Sequence, residues 1–191
     1  YTSSMFGNKG YGFKVNITNT FAMFGDLLHH SYIFESIGNA VMISAVIIGV
    51  LLILFGKYNS NWKLYAIISL FLVMVPGFSY VYSIAYMLIP LVAFLNEKKT
   101  RKSDYIYLLL FILQFGLFIA KKDELFSQFE GSELALNITT LIESVVLLLM
   151  MAMLYLDGII TTFKSYKGKK ILHIPANAVA SVAMAGIVFV C

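Results

Sequence analysis

LYAIISLFLVMVPGFSYVYSIAYMLIPLVAFLN, residues 64–96, runs 33 residues without a charged side chain. At about 1.5 Å per residue, one helix over this stretch would reach about 50 Å, against a hydrocarbon core of about 30 Å. That is too long for a single crossing. In its middle, Val75-Pro76-Gly77-Phe78-Ser79 is a strong turn signal, since Pro lacks the backbone donor a helix needs and Gly tolerates unusual dihedrals. The stretch therefore reads as two shorter helices, about 62–75 and 80–96, joined by a tight turn.

Further spans follow on either side. Residues 36–56 carry no charge and extend a span over about 35–56. Residues 105–120 follow Asp104, residues 139–160 are interrupted by Glu143 and Asp157, and residues 171–191 have Pro175 in their first turn. The expected fold is all-α: a polytopic transmembrane helix bundle of about six spans, with short amphipathic helices on its outer face. Residues 1–34 read as an outer-face segment and 35–191 as the bundle. The chain opens at Tyr1 and stops at Cys191 inside an apolar run, so the expectation is one incomplete domain, the C-terminal part of a longer protein.

Composition agrees. Hydrophobic residues make up 60% of the chain and charged residues only 13%, with a mean hydropathy of +0.83. A soluble domain needs nearer a quarter charged residues to solvate its surface. The net charge of +4 does not point to nucleic acid, because the lysines fall between apolar stretches rather than along one polar face. A single Cys allows no internal disulfide. The first 33 residues are too polar for a signal peptide.

Lys and Arg in the connections set the orientation. With six spans, Lys57, Lys63, Lys98, Lys99, Arg101, Lys102, Lys164, Lys167, Lys169 and Lys170 share one side, and Lys9, Lys14, Lys121 and Lys122 the other. This bias places residues 1–34 and about 121–138 outside the cytoplasm. A single long helix over 64–96 would split the charges equally well with the N-terminal segment inside. Length and Pro76-Gly77 decide for two. In the first outer segment, Phe21, Phe24 and Leu28 follow a plausible Asn19-Thr20 cap, as in an amphipathic helix on the membrane face. Residues 121–130 read similarly.

Chemistry is expected first at the Pro76–Ser83 turn. Its flanking helices are short, so the turn sits below the outer surface, where irregular backbone must be buried or line a cavity. Tyr82 and Tyr86 share a helix face, and Pro90 frees the Tyr86 carbonyl, an arrangement suited to a sugar or lipid head group. The plainer reading is a kinked helix with interfacial tyrosines. Glu143, one turn inside its span, is an intramembrane ionisable group, which usually faces a cavity or a partner. Asp157 reads as a solvated or Lys-paired boundary residue.

His29-His30 lacks the spaced ligands of a metal site, so neither metal nor cofactor is expected. Lys9 and Lys14, in and beside the glycine-rich stretch 7–12, could attract a phosphate head group; a flexible loop is the plainer reading. Asn16-Ile17-Thr18 and Asn137-Ile138-Thr139 are glycosylation triplets, a pattern that arises often by chance.

Residues 75–96 resemble the C-terminal half of bacterial polytopic glycosyltransferases of the GT-C type. The closest group is the polyprenyl-phosphomannose-dependent mannosyltransferases, glycosyltransferase family 87. The shared pattern is a Pro-containing outer turn followed by a Tyr-rich helix with an internal Pro. A Gly-aromatic stretch before the preceding helix is resembled by residues 7–16. The likeness covers about half the chain. It implies sugar transfer from a lipid-linked polyprenyl-phosphate donor at the non-cytoplasmic face of the cell membrane, with Tyr80, Tyr82, Tyr86, Lys9 and Lys14 contacting substrate.

Two departures stand out. The family's catalytic Asp in the first outer loop has no counterpart here, which leaves Asp26, Glu35 and Glu143 as carboxylates near that level, Glu143 the candidate within a span. Some members also carry His in the turn, where this chain has Tyr80 and Tyr82. The competing expectations are a non-catalytic membrane scaffold or assembly subunit, and a transporter component. The latter calls for internal repeats and mid-membrane charge pairs that the sequence does not display.

Overall fold

The structure is a computed structural model that describes residues 14–77, 79, 81–97, 104–126 and 132–166. Among these residues it is helical throughout, without a strand. Residue order gives α1 (Ile17–Leu27), α2 (Ser31–Phe55), α3 (Asn61–Met74), a 3-10 helix (Val81–Met87), α4 (Leu88–Leu95), α5 (Asp104–Phe126) and α6 (Ser132–Tyr166).

The 64–96 stretch divides where Pro76-Gly77 required. α3 ends at Met74, and the chain reverses through Val75, Pro76, Gly77 and Ser79. α4 then returns beside α3, setting the Trp62 ring 5.0 Å from Phe94, edge to face. One detail differs from a plain helix over 80–96. The first seven residues after the turn are 3-10, and α-helix begins only at Leu88. Pro90, buried in the first turn of α4, has no N–H to bond the Tyr86 carbonyl, so an α-helix running through both residues would lose a rung.

α2 and the Ile138–Tyr166 part of α6 are long and apolar enough to cross a membrane, and α3, residues 83–95 and residues 104–116 are shorter apolar helices. The expected span at 105–120 is the first part of a longer α5, and that at 139–160 is the middle of α6. The expected span at 171–191 lies outside the described residues. The outward faces are apolar: Ile43, Ile47 and Leu51 on α2, Leu109 and Ile112 on α5, and Leu149, Leu156 and Ile160 on α6 are all more than half exposed.

α1 departs from the expected surface-lying helix. Val15 and Ile17 are fully buried in the same core as Trp62, Phe111 and Leu147, and Met23 packs against Leu141 of α6. The helix starts three residues earlier than the Asn19-Thr20 cap implied. Asn16 is the cap, its side chain accepting from the Asn19 amide at 2.8 Å. The end is a Schellman turn: His30 N–H donates to the Gly25 carbonyl (2.8 Å) and His29 N–H to Asp26 (3.3 Å), with His29 left-handed at φ 56°. The chain then doubles back into α2. A methyl group at Gly38 would meet Phe21 Cβ at 2.8 Å, so the pair packs at the distance only glycine allows.

These lengths set a vertical scale. α2, with 25 residues, rises about 37 Å. α3, with 14, rises about 21 Å from the same end. The turn after α3 therefore lies about 16 Å short of the far end of α2. α1 fills the space above it.

Candidate functional site

The recessed turn is held from above. Val15 N–H donates to the Ser79 carbonyl at 2.9 Å. Asn16 Nδ2 donates to the Gly77 carbonyl at 3.2 Å. The Ser79 and Ser83 hydroxyls lie 2.7 Å apart, buried, and Thr20 returns its hydroxyl to the Asn16 carbonyl at 2.7 Å. Buried irregular backbone needs such partners, because apolar surroundings offer none. The N-terminal segment supplies them, so the turn is capped rather than open.

That cap has a consequence for the glycosylation triplet at Asn16. The side chain is 2% exposed and used at both its oxygen and its nitrogen. The Asn137 side chain lies outside the described residues.

At a similar height, α5 and α6 bring together Gln114, Thr140, Glu143 and Ser144, all fully buried. Gln114 Nε2 donates to Glu143 Oε1 at 3.4 Å. Glu143 precedes Asp157 on α6 by about four turns, or about 21 Å, which matches the rise of α3. Glu143 is thus deep in the bundle, not at its rim.

The other sequence candidates are placed differently. Tyr86 is 51% exposed. Lys14 is half-buried, next to Val15, whose N–H bonds the turn. Lys9 and Tyr80 lie outside the described residues, as does the side chain of Tyr82. Asp26 accepts from the Ser31 hydroxyl at 2.7 Å, tying α1 to the start of α2, and Glu35 is exposed. His29 and His30 are exposed at the α1–α2 corner. Among the described residues no three His, Cys, Asp or Glu side chains converge on a metal position.

A second polar cluster lies at the opposite end and was not foreseen. Lys63, counted in the sequence as a connecting-loop charge, is 1% exposed. Its ammonium is 2.8 Å from Asp157 Oδ2 and 3.8 Å from Asp104 Oδ1, and 5.5 Å from the ring centres of both Trp62 and Tyr107. One lysine thereby joins α3, α5 and α6. Of the two readings of Asp157, Lys-paired is the one observed. The only sequence signal was a Lys two residues after the start of an apolar helix.

Tyr58, in the loop after α2, donates its hydroxyl to the Leu52 carbonyl at 2.8 Å. Burial above all, then the Tyr155 and Asp157 oxygens, push its hydroxyl well above the usual tyrosine range. No family model, curated protein or solved structure matches the chain.

Proposed function

We propose that the chain is a multi-pass membrane protein of about six spans, with residues 1–34 and about 121–138 on the non-cytoplasmic side. Within it we assign a glycosyltransferase role of the GT-C type, moving a sugar from a polyprenyl-phosphate donor at that face. The carrying observation is a fully buried carboxylate, Glu143, at about the height of a recessed, irregular turn. The apolar outward faces of α2, α5 and α6 support the membrane setting. The likeness of residues 75–96 to the transferase pattern supports the reaction class.

In this reading Glu143 is the general base, positioned by Gln114. An acceptor hydroxyl oxygen attacks the anomeric carbon and its proton passes to the Glu143 carboxylate. The carbon–oxygen bond to the polyprenyl phosphate breaks, leaving the lipid phosphate with the electron pair. By the resemblance, Tyr80, Tyr82 and Lys14 are the residues assigned to the sugar and phosphate.

The test is sugar transfer from labelled polyprenyl-phosphate donors in membranes containing the full chain. Glu143→Gln should reduce transfer by at least about a hundredfold, and Tyr82→Phe should raise KM more than it lowers kcat. Equal transfer by wild type and Glu143→Gln removes the assignment of the base. No transfer by wild type supports the second reading, a non-catalytic assembly subunit. That reading is favoured by one observation: Asn16, Thr20 and Ser79 spend their polar groups on holding the chain to itself.

A further inference from the structure

The loop after α2 and the last turns of α6 border an open-sided cavity of about 530 Å³, lined by Lys57, Tyr58, Asn59, Asp157, Thr161 and Lys164 among others. That volume lies within the usual range for small-molecule sites, about 300–1,000 Å³. Its walls are tied across the two elements. Lys57 N–H donates to Thr162 Oγ1 at 2.9 Å, and Asn59 Nδ2 to Thr161 Oγ1 at 3.4 Å.

The charge balance is positive. The lining sets two lysines, Lys57 and Lys164, against one carboxylate, Asp157, which is engaged at 2.8 Å by a Lys63 shared with Asp104 at 3.8 Å. The Lys57 and Lys164 side chains are exposed, and no ion pair involves either among the described residues. α2 and α6 both end here, and their carbonyl ends carry about half a negative charge each. Two full ammonium charges exceed that. α3 starts beside the cavity after Asn59, and its cap residue Ser60 makes no side-chain capping bond, so its positive end adds to the same sign. Three more lysines, 167, 169 and 170, follow in the sequence.

We infer that this cavity binds a phosphate group, with Lys57 and Lys164 as its cationic contacts and the Asn59 and Thr161 side chains as hydrogen-bond partners. Phosphate chemistry of this kind comes from a phospholipid head group or from a soluble phosphate. Ile160 also lines the cavity and is 51% exposed, with Phe163 74% exposed nearby on α6. Acyl chains beside a bound head group would cover both. A lipid source rests on the membrane reading above and is independent of sugar transfer.

The experiment uses the full chain, purified into phosphatidylcholine nanodiscs with or without phosphatidylglycerol. Native mass spectrometry reads retained phosphatidylglycerol, and phosphorus NMR line broadening reads inorganic phosphate. Lys57→Gln and Lys164→Gln should each weaken binding by about fivefold. Thr161→Val should weaken it with no change in charge. Lys121→Gln, on the opposite proposed face, should leave binding as in wild type. Retained phosphatidylglycerol without phosphate broadening assigns the lipid source, and the reverse assigns a soluble phosphate. Binding that the Lys57→Gln/Lys164→Gln double variant leaves intact, or no binding in either arm, overturns the inference. Emission from Trp62 checks that each variant is folded. Because only binding is read, the outcome is separate from that of the transferase assay.

Discussion

The Lys63 ammonium lies 2.8 Å from Asp157 Oδ2, 94 positions away in the chain, in a side chain that is 2% exposed. Burying a charge this completely is tolerable only because a partner is present, so removing one partner costs more than the pair contributes. Lys63→Met should destabilise the bundle by about 3–5 kcal/mol, read by thermal unfolding in detergent. Asp157 is 33% exposed, which moves the expectation for Asp157→Asn to the lower end of that range. The double variant should regain part of the loss. Single variants as stable as wild type would show that water already screens the pair.

Asn16 caps α1 and reaches the Gly77 carbonyl. Asn16→Ala should cost about 1–2 kcal/mol through the lost cap alone, and should speed amide exchange in residues 14–20. In a glycosylating host the Asn16 triplet should remain unmodified. Quantitative glycan at Asn16 in folded protein would contradict its burial.

Two glycines should respond oppositely to alanine. At Gly38 the new methyl would press on Phe21, parting α1 from α2 at a cost of about 1–3 kcal/mol. At Gly116, within α5, nothing among the described residues lies within 4 Å of the new Cβ. Gly116→Ala should therefore stabilise by up to about 1 kcal/mol through helix propensity. Thermal unfolding of both variants checks the contrast, and a shift of the same sign in both refutes it.

Tyr58 stays neutral in the fold because burial raises its hydroxyl above the usual range. In the unfolded chain it ionises near about pH 10. The stability it contributes is thus complete below that pH and declines as pH rises further. Tyr58→Phe should lose about 1 kcal/mol at neutral pH, with the bond to Leu52, yet show a shallower alkaline decline. Parallel stability curves above pH 10 would assign the decline to other groups.

The architecture was legible where local chemistry decides. Pro76-Gly77 had to end α3, and Pro90 explains why α4 starts late. The uncharged runs located α2, α3 and most of α5, and an apolar run interrupted by Glu143 and Asp157 located most of α6. What could not be read was partnership. The apolar stripe of α1 suits a lipid surface as well as it suits α2 and α6, and only tertiary contact distinguishes them. Lys63 illustrates the same limit: hydropathy treats every lysine as a boundary marker, while its burial depends on Asp104 and Asp157 arriving from distant helices. Glu143 was visible as an anomaly within a span; Gln114, uncharged, gave no comparable signal.

α1 packs on α2, which follows it directly, but is completed by elements made long after both. Its first contacts, from Val15 and Asn16, are to carbonyls at positions 79 and 77, and Met23 needs Leu141. The bundle closes only when α6 arrives, which brings Leu141 to one end of the molecule and Asp157 to the other. Until that last helix is in place, Met23 lacks Leu141 beneath it and Lys63 lacks Asp157, its nearer carboxylate.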